Sequence, residues 1–259
     1  HENQTIDKAL NLGFHKYYPD VIVKGYQGHV SPSYDTHKVP QSYEIENGTL
    51  PNQLYVISKN YKKTILNNCP DLDVRVASAF RYSYLYDINR RRSTSDIPTI
   101  LIALPMDIDE STNILNMCGQ LQSLIDTKVS ILVKHHPAHE SHIFAKRVPL
   151  FFNDSFIQTN DSMSDLLKSI SLVISSASSA CAEAASLGIP VAMYGNRYGV
   201  TMNTILDGVN GFSNNIFYSE SQLAEFIKLY LGKNGKNSSI DQTFFMDNGE
   251  SVQALFVCE

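Results

Sequence analysis

Short apolar runs alternate with amphipathic segments along the chain from residue 97 onward. Such runs predict buried strands, and apolar positions three and four residues apart predict helices that pack on them. The predicted strands cover 99–104, 130–133, 156–159, 172–174 and 190–194. The predicted helices cover 111–125, 163–169 with Ser162 as N-cap, 180–187 and 221–231. Strands that alternate with helices are typical of a doubly wound parallel sheet, so we expect a Rossmann-like α/β domain.

The first 95 residues have a weaker pattern. Their spacing predicts helices over 5–14 and 60–69 and strands over 20–24, 53–58 and 74–77, whereas 31–48 has no clear period. Tyr82, Tyr84 and Tyr86 alternate as residues on one face of a strand do. The polar stretch 89–96 has no apolar anchor, and we interpret it as a linker between domains, with a surface loop inside one domain as the alternative.

The predicted organisation has three parts. They are a small, truncated N-terminal α/β domain over 1–95, a Rossmann-like domain over 96–235 and a C-terminal tail over 236–259. The chain starts without methionine, and no secretory signal is visible in its first ten residues, so we expect residues before His1 that complete the first domain.

Composition narrows the possible functions. The chain is 43% apolar and 18% charged with a net charge of −5, so a general nucleic-acid binder is disfavoured. No apolar run is long enough for a membrane span. The four cysteines are far apart without a CxxC pair, which fits a reducing compartment. We therefore expect a cytoplasmic protein, at the inner face of a membrane if it contacts one.

Polar loops follow two of the predicted strands. Strand 130–133 leads into a cationic loop, and strand 172–174 leads into a hydroxyl-rich loop that opens a helix. Ligands of parallel sheets bind beyond the carboxyl ends of the strands, and a helix N-terminus there favours an anion. The sequence therefore predicts a phosphate or nucleotide site. Its candidate residues are Lys134, His136, Pro137, Ser175, Ser176, Ser178 and Ser179.

Each of these residue types has an expected role in binding a phosphate or in shaping the loops. His136 can donate to a phosphate oxygen and Pro137 can fix the turn, whereas His135 points to the other side of the strand and is expected to be structural. One serine must cap the following helix whether or not it also binds a ligand. The absence of GxGxxG disfavours a dinucleotide site.

Carboxylates follow the first strand of the Rossmann-like region. Asp107 and Asp109 are candidates for a general base or a nucleophile. The alternative is that they cap the following helix and, with Glu110, favour its dipole. Asn196 follows another strand end and is a candidate contact for a base or sugar.

Two further groups are weaker candidates. His139 and His142 extend the histidine cluster, but HHPxHxxH lacks the carboxylate or cysteine partner of a known metal site, so we expect no metal. Arg90, Arg91 and Arg92 are either part of a solvated linker or a contact for an anionic acceptor or membrane headgroups.

The pairing of Lys134-x-His136-Pro137 with Ser175-Ser176, and with a small-residue helix that carries Glu183 and ends before Gly188-Ile189-Pro190-Val191, resembles a known family. It is similar to the C-terminal domain of GT-B glycosyltransferases with HP and SS motifs, the bacterial sialyl-, polysialyl- and Kdo transferases. Segment 99–111 resembles the start of that domain, and segments 2–4 and 25–28 more loosely resemble the preceding domain.

The resemblance implies a metal-independent glycosyltransferase of bacterial surface polysaccharide synthesis. Its donor would be a nucleotide sugar, with a CMP-activated acidic sugar such as Kdo or a nonulosonate preferred, and no other cofactor. Its acceptor would be a glycan or lipid-linked glycan, with peripheral membrane association and no nucleic acid. Glu183 would accept bonds from ribose hydroxyls. Glu2, Gln27 and His29 would supply acceptor contacts or, for Glu2, catalysis.

Three alternatives stay open at this point. Related loops occur in UDP- or CDP-linked GT-B transferases and in UDP-GlcNAc 2-epimerases. The third alternative is a non-catalytic GT-B remnant that binds a nucleotide or a partner protein. It is suggested by the first domain, which has only three convincing strands.

Overall fold

The computed structural model describes residues 2–30, 38–89, 97–125, 128–140, 142–148, 156–196, 198, 201, 203–205 and 216–231. Most of the predicted linker 89–96 and the whole predicted tail 236–259 lie outside these residues. The chain divides into two compact units, and the division falls between Tyr84 and Leu85. Within the described residues, every helix is too short or too polar to cross a membrane.

The first unit contains a small parallel sheet. Its strands are β1 (Lys24–Gln27), β2 (Gln53–Val56) and β3 (Asp73–Val76), hydrogen-bonded in the order β1-β2-β3. Its helices are α1 (Thr5–Tyr17), α2 (Ser42–Glu46) and α3 (Lys59–Asn68), and a 3-10 turn spans Phe80–Tyr82. Leu54 and Val56 on the central strand are fully buried, so this sheet has its own core.

The prediction of a strand over 20–24 is wrong, because the observed strand β1 starts only at Lys24. Lys24 pairs with Gln53, the first residue of β2, and the Asn52 carboxamide oxygen accepts from the Val23 N–H. The neighbouring strand therefore begins too late to pair with the β-branched residues before Val23. Val21 and Ile22 are exposed as a result.

The tyrosines predicted on a strand face lie in helical turns instead. Tyr82 ends the 3-10 turn, and α4 (Tyr84–Asn89) follows it. The hydroxyl of Tyr26 organises this turn, because it donates to the Ser78 carbonyl and accepts from the Phe80 N–H. Segment 31–48, which shows no sequence period, contains the short helix α2.

Helix α1 turns its polar side toward the unit. Asn11 is buried and donates to the Thr49 carbonyl, and Lys8 forms an ion pair with the buried Glu44. The apolar positions that predict this helix lie on the opposite side, where Ile6 is 67% and Leu10 57% exposed. The helix is therefore held by polar contacts and not by its apolar stripe.

The second unit contains a six-stranded parallel sheet. Its strands are β4 (Thr99–Ala103), β5 (Ser130–Lys134), β6 (Ile157–Gln158), β7 (Leu172–Ser175), β8 (Val191–Tyr194) and β9 (Ile216–Phe217). They are hydrogen-bonded in the order β6-β5-β4-β7-β8-β9. The chain runs outward from β4 in one direction and then from β7 in the other, which places the topological switch point between β4 and β7. The predicted doubly wound parallel sheet is confirmed.

Helices pack against this sheet. They are α5 (Ile108–Cys118), α6 (Leu121–Leu124), α7 (His142–Arg147), α8 (Met163–Leu166), α9 (Ser179–Ser186) and α10 (Glu220–Leu231). Ile114, Leu115 and Cys118 of α5 are fully buried against the strands. Burial of each large apolar side chain contributes about 1.5–3 kcal/mol. Ser162 caps α8, as predicted.

Two local features differ from the prediction or refine it. The helix predicted over 111–125 starts earlier, at Ile108, and is two helices, because the chain turns at Gly119 before α6. Helix α9 is buried from Ala180 to Ser186, since small side chains let it approach the sheet closely. Gly188, with φ of 70°, makes the turn after it, a conformation that glycine adopts without strain.

Candidate functional site

The carboxyl ends of β5, β4, β7 and β8 lie side by side at one edge of the larger sheet. Ala103 at the end of β4 pairs with Lys134 at the end of β5, and Ser175 at the end of β7 pairs with Met193 on β8. The loops after β5 and β7 thus flank the end of β4. Since neighbouring strands are about 4.8 Å apart, these two loops start about 10 Å from each other.

The loop after β5 is a tight turn. Pro137 follows His136, and the His139 N–H donates to the His136 carbonyl at 2.9 Å, so proline occupies the position where its fixed φ favours a turn. His139 Nε2 also donates to the Met106 carbonyl at 2.5 Å. The histidine loop is thereby tied to the loop after β4.

His136 is a neutral hydrogen-bond donor in this turn. Its Nδ1 accepts from the Ala138 N–H at 3.2 Å, so the ring proton is on Nε2. Burial, together with nearby His139, lowers the pKa of His136 below its usual value. The Nε2–H group is the end of the ring that can donate to a ligand oxygen.

Lys134 and His135 make protein contacts. Lys134 Nζ donates to the Asp161 carbonyl at 2.7 Å, which uses one of its three protons. The His135 ring stacks on Phe144 with centroids 5.4 Å apart, and its Nε2 contacts the Gln158 carboxamide oxygen at 3.3 Å. His135 therefore packs as a structural residue, as expected.

The serine loop separates into an inner and an outer pair. Ser175 is buried and donates to the Ala103 carbonyl at 2.6 Å, and Ser176 is buried and donates to Glu110 Oε2 at 2.8 Å. Each inner hydroxyl proton is thus committed to a protein acceptor. Ser178 caps α9 by accepting from the Ala180 N–H, and both Ser178 and Ser179 are only half-buried. The outer pair is the part of this loop that can meet an anion.

The carboxylates after β4 have different local partners. Asp107 is the N-cap of α5 and accepts from the Glu110 N–H at 2.8 Å. Asp109 is 86% exposed at its side chain and forms an ion pair with Arg147 at 2.6 Å. Glu110 is half-buried and accepts from Ser176. Of the three, Glu110 has a direct bond to the serine loop.

A cavity of about 450 Å³ brings several of these residues together. Its lining combines carboxylates, amides, a threonine hydroxyl and tyrosine rings, which are Asp107, Asp109, Glu110, Thr112, Asn113, Tyr194, Asn196 and Tyr198. Three predicted residues, Asp107, Asp109 and Asn196, therefore line one space. The sequence predicts Glu110 only as a residue that favours the helix dipole. Its position one helical turn after Asp107 is the sequence signal that it lies at the same site.

Two other predicted residues have clear surroundings. The Asn196 carboxamide oxygen accepts from the Tyr198 N–H at 2.8 Å, which fixes the turn after β8. Glu183 is buried in α9, 6% exposed. Its contact with a ribose stays a prediction.

In the first unit, Glu2, His29 and Arg81 form a chain of hydrogen bonds. Glu2 Oε1 accepts from His29 Nδ1 at 2.8 Å and from the Gly28 N–H at 3.3 Å, and His29 Nε2 contacts Arg81 at 2.7 Å. Gln27 is buried and donates to the Lys38 carbonyl at 2.9 Å. The structure thus joins Glu2 to His29, turns Gln27 inward, and adds Arg81, for which the sequence has no signal.

Metal ligands are not clustered in the part of the chain that the structure describes. No group of three or more His, Cys, Asp or Glu side chains there is arranged to hold an ion. His142 pairs with Glu140 at 3.0 Å on the surface.

No protein-family model matches the sequence, and no curated protein matches it either. Solved structures do resemble it. UDP-GlcNAc 2-epimerase from Neisseria meningitidis bound to UDP-GlcNAc is 15% identical with a TM-score of 0.61, over 97% of this chain and 73% of that one. S. aureus MnaA with UDP is 16% identical with a TM-score of 0.59, over 94% of this chain and 68% of that one.

The wall teichoic acid polymerase TagF with CDPG is 14% identical with a TM-score of 0.49, over 90% of this chain. This chain spans 65% of the TagF chain, just under two thirds of its length. At these identities the likeness is one of fold. The chain therefore has a parallel-sheet α/β fold that matches GT-B-like enzymes.

Proposed function

We propose that the chain is a GT-B-like glycosyltransferase that uses a nucleotide-activated sugar in bacterial surface polysaccharide synthesis. The observation that supports this proposal is that three features lie at the carboxyl edge of the larger sheet. They are the neutral donor His136, the half-buried Ser178 and Ser179 at the start of α9, and the cavity that includes Asp107 and Glu110.

The donor phosphate would bind at the histidine and serine loops. Neutral N–H and O–H groups and the dipole of α9 stabilise negative charge that develops on a leaving phosphate. The proposed reaction therefore requires no metal. The sugar hydroxyls would bind the carboxylates and amides of the cavity.

A CMP-activated acidic sugar such as Kdo or a nonulosonate is the preferred donor. Such a donor presents one phosphate next to a carboxylate, and two separate donor loops flank the end of β4 to receive two anionic groups. The acceptor would be a glycan or lipid-linked glycan, reached at the cytoplasmic face of a membrane. Asp107, Asp109 and the Glu2–His29 pair are the candidates for the base that deprotonates it.

A UDP- or CDP-linked transferase or a 2-epimerase is the second candidate. The two structures with TM-scores of 0.61 and 0.59 were solved with UDP-GlcNAc and UDP. An epimerase would need acid and base groups but no acceptor site. The carboxylates after β4 are compatible with that chemistry as well.

A thermal-shift panel tests the proposal directly. CMP, CDP, UDP, GDP and their sugars are added with and without EDTA to the wild type and to His136→Ala. His142→Ala is the control, because His142 is an exposed histidine near the same turn that pairs with Glu140. Stabilisation grows with ligand concentration over the dissociation constant.

Each result leads to one conclusion. A shift with CMP that persists in EDTA and in His142→Ala but is lost in His136→Ala supports the proposed donor and site. A selective shift with UDP moves the assignment to the second candidate. The absence of any nucleotide shift contradicts both candidates.

A further inference from the structure

The loops after β1 and β3 meet at the carboxyl edge of the smaller sheet. His29 lies two residues beyond β1, and Arg81 lies in the 3-10 turn beyond β3. Since β2 separates the two strands, the 2.7 Å contact between His29 Nε2 and Arg81 crosses above the end of β2. The pair is therefore at the edge where parallel sheets bind ligands.

The direction of each hydrogen bond follows from the chemistry of its partners. A guanidinium only donates, so His29 Nε2 must accept from Arg81. The ring proton is then on Nδ1, which donates to Glu2 Oε1 at 2.8 Å. One ring nitrogen is thus held by a carboxylate, and the lone pair of the other is covered by a cation.

The charges around this imidazole come from three elements of the first unit. Glu2 approaches from the segment before α1 and Arg81 from the turn after β3, while Lys38 lies 3.7 Å from the second oxygen of Glu2. Glu2 accepts from one ring nitrogen, and Arg81 donates to the other. Removal of the guanidinium alone would uncover the base and leave its supporting carboxylate in place.

Few contacts hold the Arg81 side chain against His29. It is exposed, and its contact with His29 is its one hydrogen bond to the described part of the chain. A guanidinium binds phosphate and carboxylate groups through two parallel hydrogen bonds, which are stronger than one bond to a neutral imidazole. An anionic group that arrives at this edge would therefore compete well for Arg81.

We propose that Arg81 is an anion-responsive gate on His29. In the free protein it covers the Nε2 lone pair, and a phosphate or carboxylate group of a ligand draws it away and exposes that nitrogen as a base. Arg81 is thus a positioning residue that acts through His29.

The chemical step rests on the proposed function. A hydroxyl of a ligand bound at this edge gives its proton to Nε2, and the electron pair of its O–H bond stays on its oxygen. The resulting imidazolium is stabilised by Glu2.

The reactivity of His29 toward diethyl pyrocarbonate tests the gate without turnover. This reagent modifies an uncovered imidazole nitrogen, and peptide mass spectrometry reads each histidine separately. We expect His29 of the wild type to react slowly. Arg81→Gln should react about fivefold faster, because one hydrogen bond no longer covers the nitrogen. His142 serves as an internal reference in the same sample.

Inorganic pyrophosphate and N-acetylneuraminate are the probes for the two anion sources. A faster His29 reaction in the wild type with either probe, and no further increase in Arg81→Gln, supports the gate and identifies its anion class. Equal His29 rates in both proteins, or a wild-type rate that neither probe raises, overturns it. The wild-type arm stands even if the variant fails to fold. Because the readout is His29 alone, a failed gate is distinguishable from a failed nucleotide panel at His136.

Discussion

Ser176 donates to Glu110 at 2.8 Å and so joins the end of β7 to the first turn of α5. The two residues are 66 positions apart and flank the switch point of the larger sheet. The bond holds a carboxylate in a defined place at the rim of the cavity. It also means that the hydroxyl proton of Ser176 is not available to a phosphate.

Ser176→Ala should therefore lower the free energy of unfolding and have little effect on the protein's affinity for a nucleotide. Loss of a hydrogen bond to a charged, half-buried group costs about 1–2 kcal/mol in free energy of unfolding, measured by urea denaturation. Ser179→Ala is the matched variant. It should leave stability within about 0.5 kcal/mol and weaken the nucleotide thermal shift. The reverse outcome would show that the inner serine, and not the outer one, contacts the ligand.

Substitutions of Asp107 separate its structural role as a helix cap from its proposed role as a base. Its side chain caps α5, and asparagine caps helices as well as aspartate does. Asp107→Asn should keep the unfolding free energy close to wild type, whereas Asp107→Ala should lose about 1 kcal/mol. If Asp107 is the base, both variants lose turnover and keep nucleotide binding. Full turnover in Asp107→Asn would assign the residue to capping alone.

The central strands β4, β7 and β8 of the larger sheet could be predicted because they are buried on both faces. Leu172–Ser175 and Val191–Tyr194 are apolar runs whose residues are all buried, so composition and position agree. The strand at 20–24 could not be placed the same way, because a β-branched run pairs only where a neighbouring strand is present. Burial constrains a central strand far more than propensity constrains an edge strand.

Local geometry at the candidate site could be predicted where it depends on neighbours in the sequence. Ser178 and Pro137 act on residues two or three positions away, and both have the expected cap and turn geometry. The roles of Glu110 and Arg81 depend on hydrogen bonds to residues 66 and 52 positions away in the sequence. Such contacts arise only when the sheet orders its strands, so spacing along the chain cannot indicate them.

Acid should destabilise the second unit through His135. Burial against Phe144 lowers the pKa of His135 below its usual 6.5, and its Nδ1 is buried without a hydrogen-bond partner among the described residues. Between the folded and unfolded pKa values, the unfolded chain binds more protons, so stability rises with pH there. The contribution of neutral His135 is complete above pH 6.5 and is lost as pH falls through the folded pKa.

The comparison of wild type with His135→Gln measures this effect. The melting temperature of the wild type should fall more steeply below about pH 6.5 than that of the variant, which cannot titrate at this position. His136 shifts in the same direction and stays in both proteins, so the difference isolates His135. Parallel pH profiles would mean that protonated His135 is tolerated in the folded state.

The buried thiols should report on opening of the serine loop. Burial raises the pKa of Cys181 to about 12 and also raises the pKa values of Cys118 and Cys69. Because the thiolate is the reactive form, all three should react only slowly with Ellman's reagent in the folded protein. Of the four cysteines, at most one, Cys258 outside the described residues, should react quickly, and all four should react in denaturant.

Cys181 adds a local test, because its thiol donates to the Ser176 carbonyl at 3.2 Å. It becomes accessible only when the serine loop separates from α9, a local opening that is easier than global unfolding. A nucleotide bound at Ser178 and Ser179 should slow the labelling of Cys181 more than that of Cys118 in the core, because it opposes opening of the serine loop in addition to unfolding of the unit. Equal slowing at both thiols would show that the nucleotide stabilises the unit as a whole, and would remove the serine loop as its specific binding element.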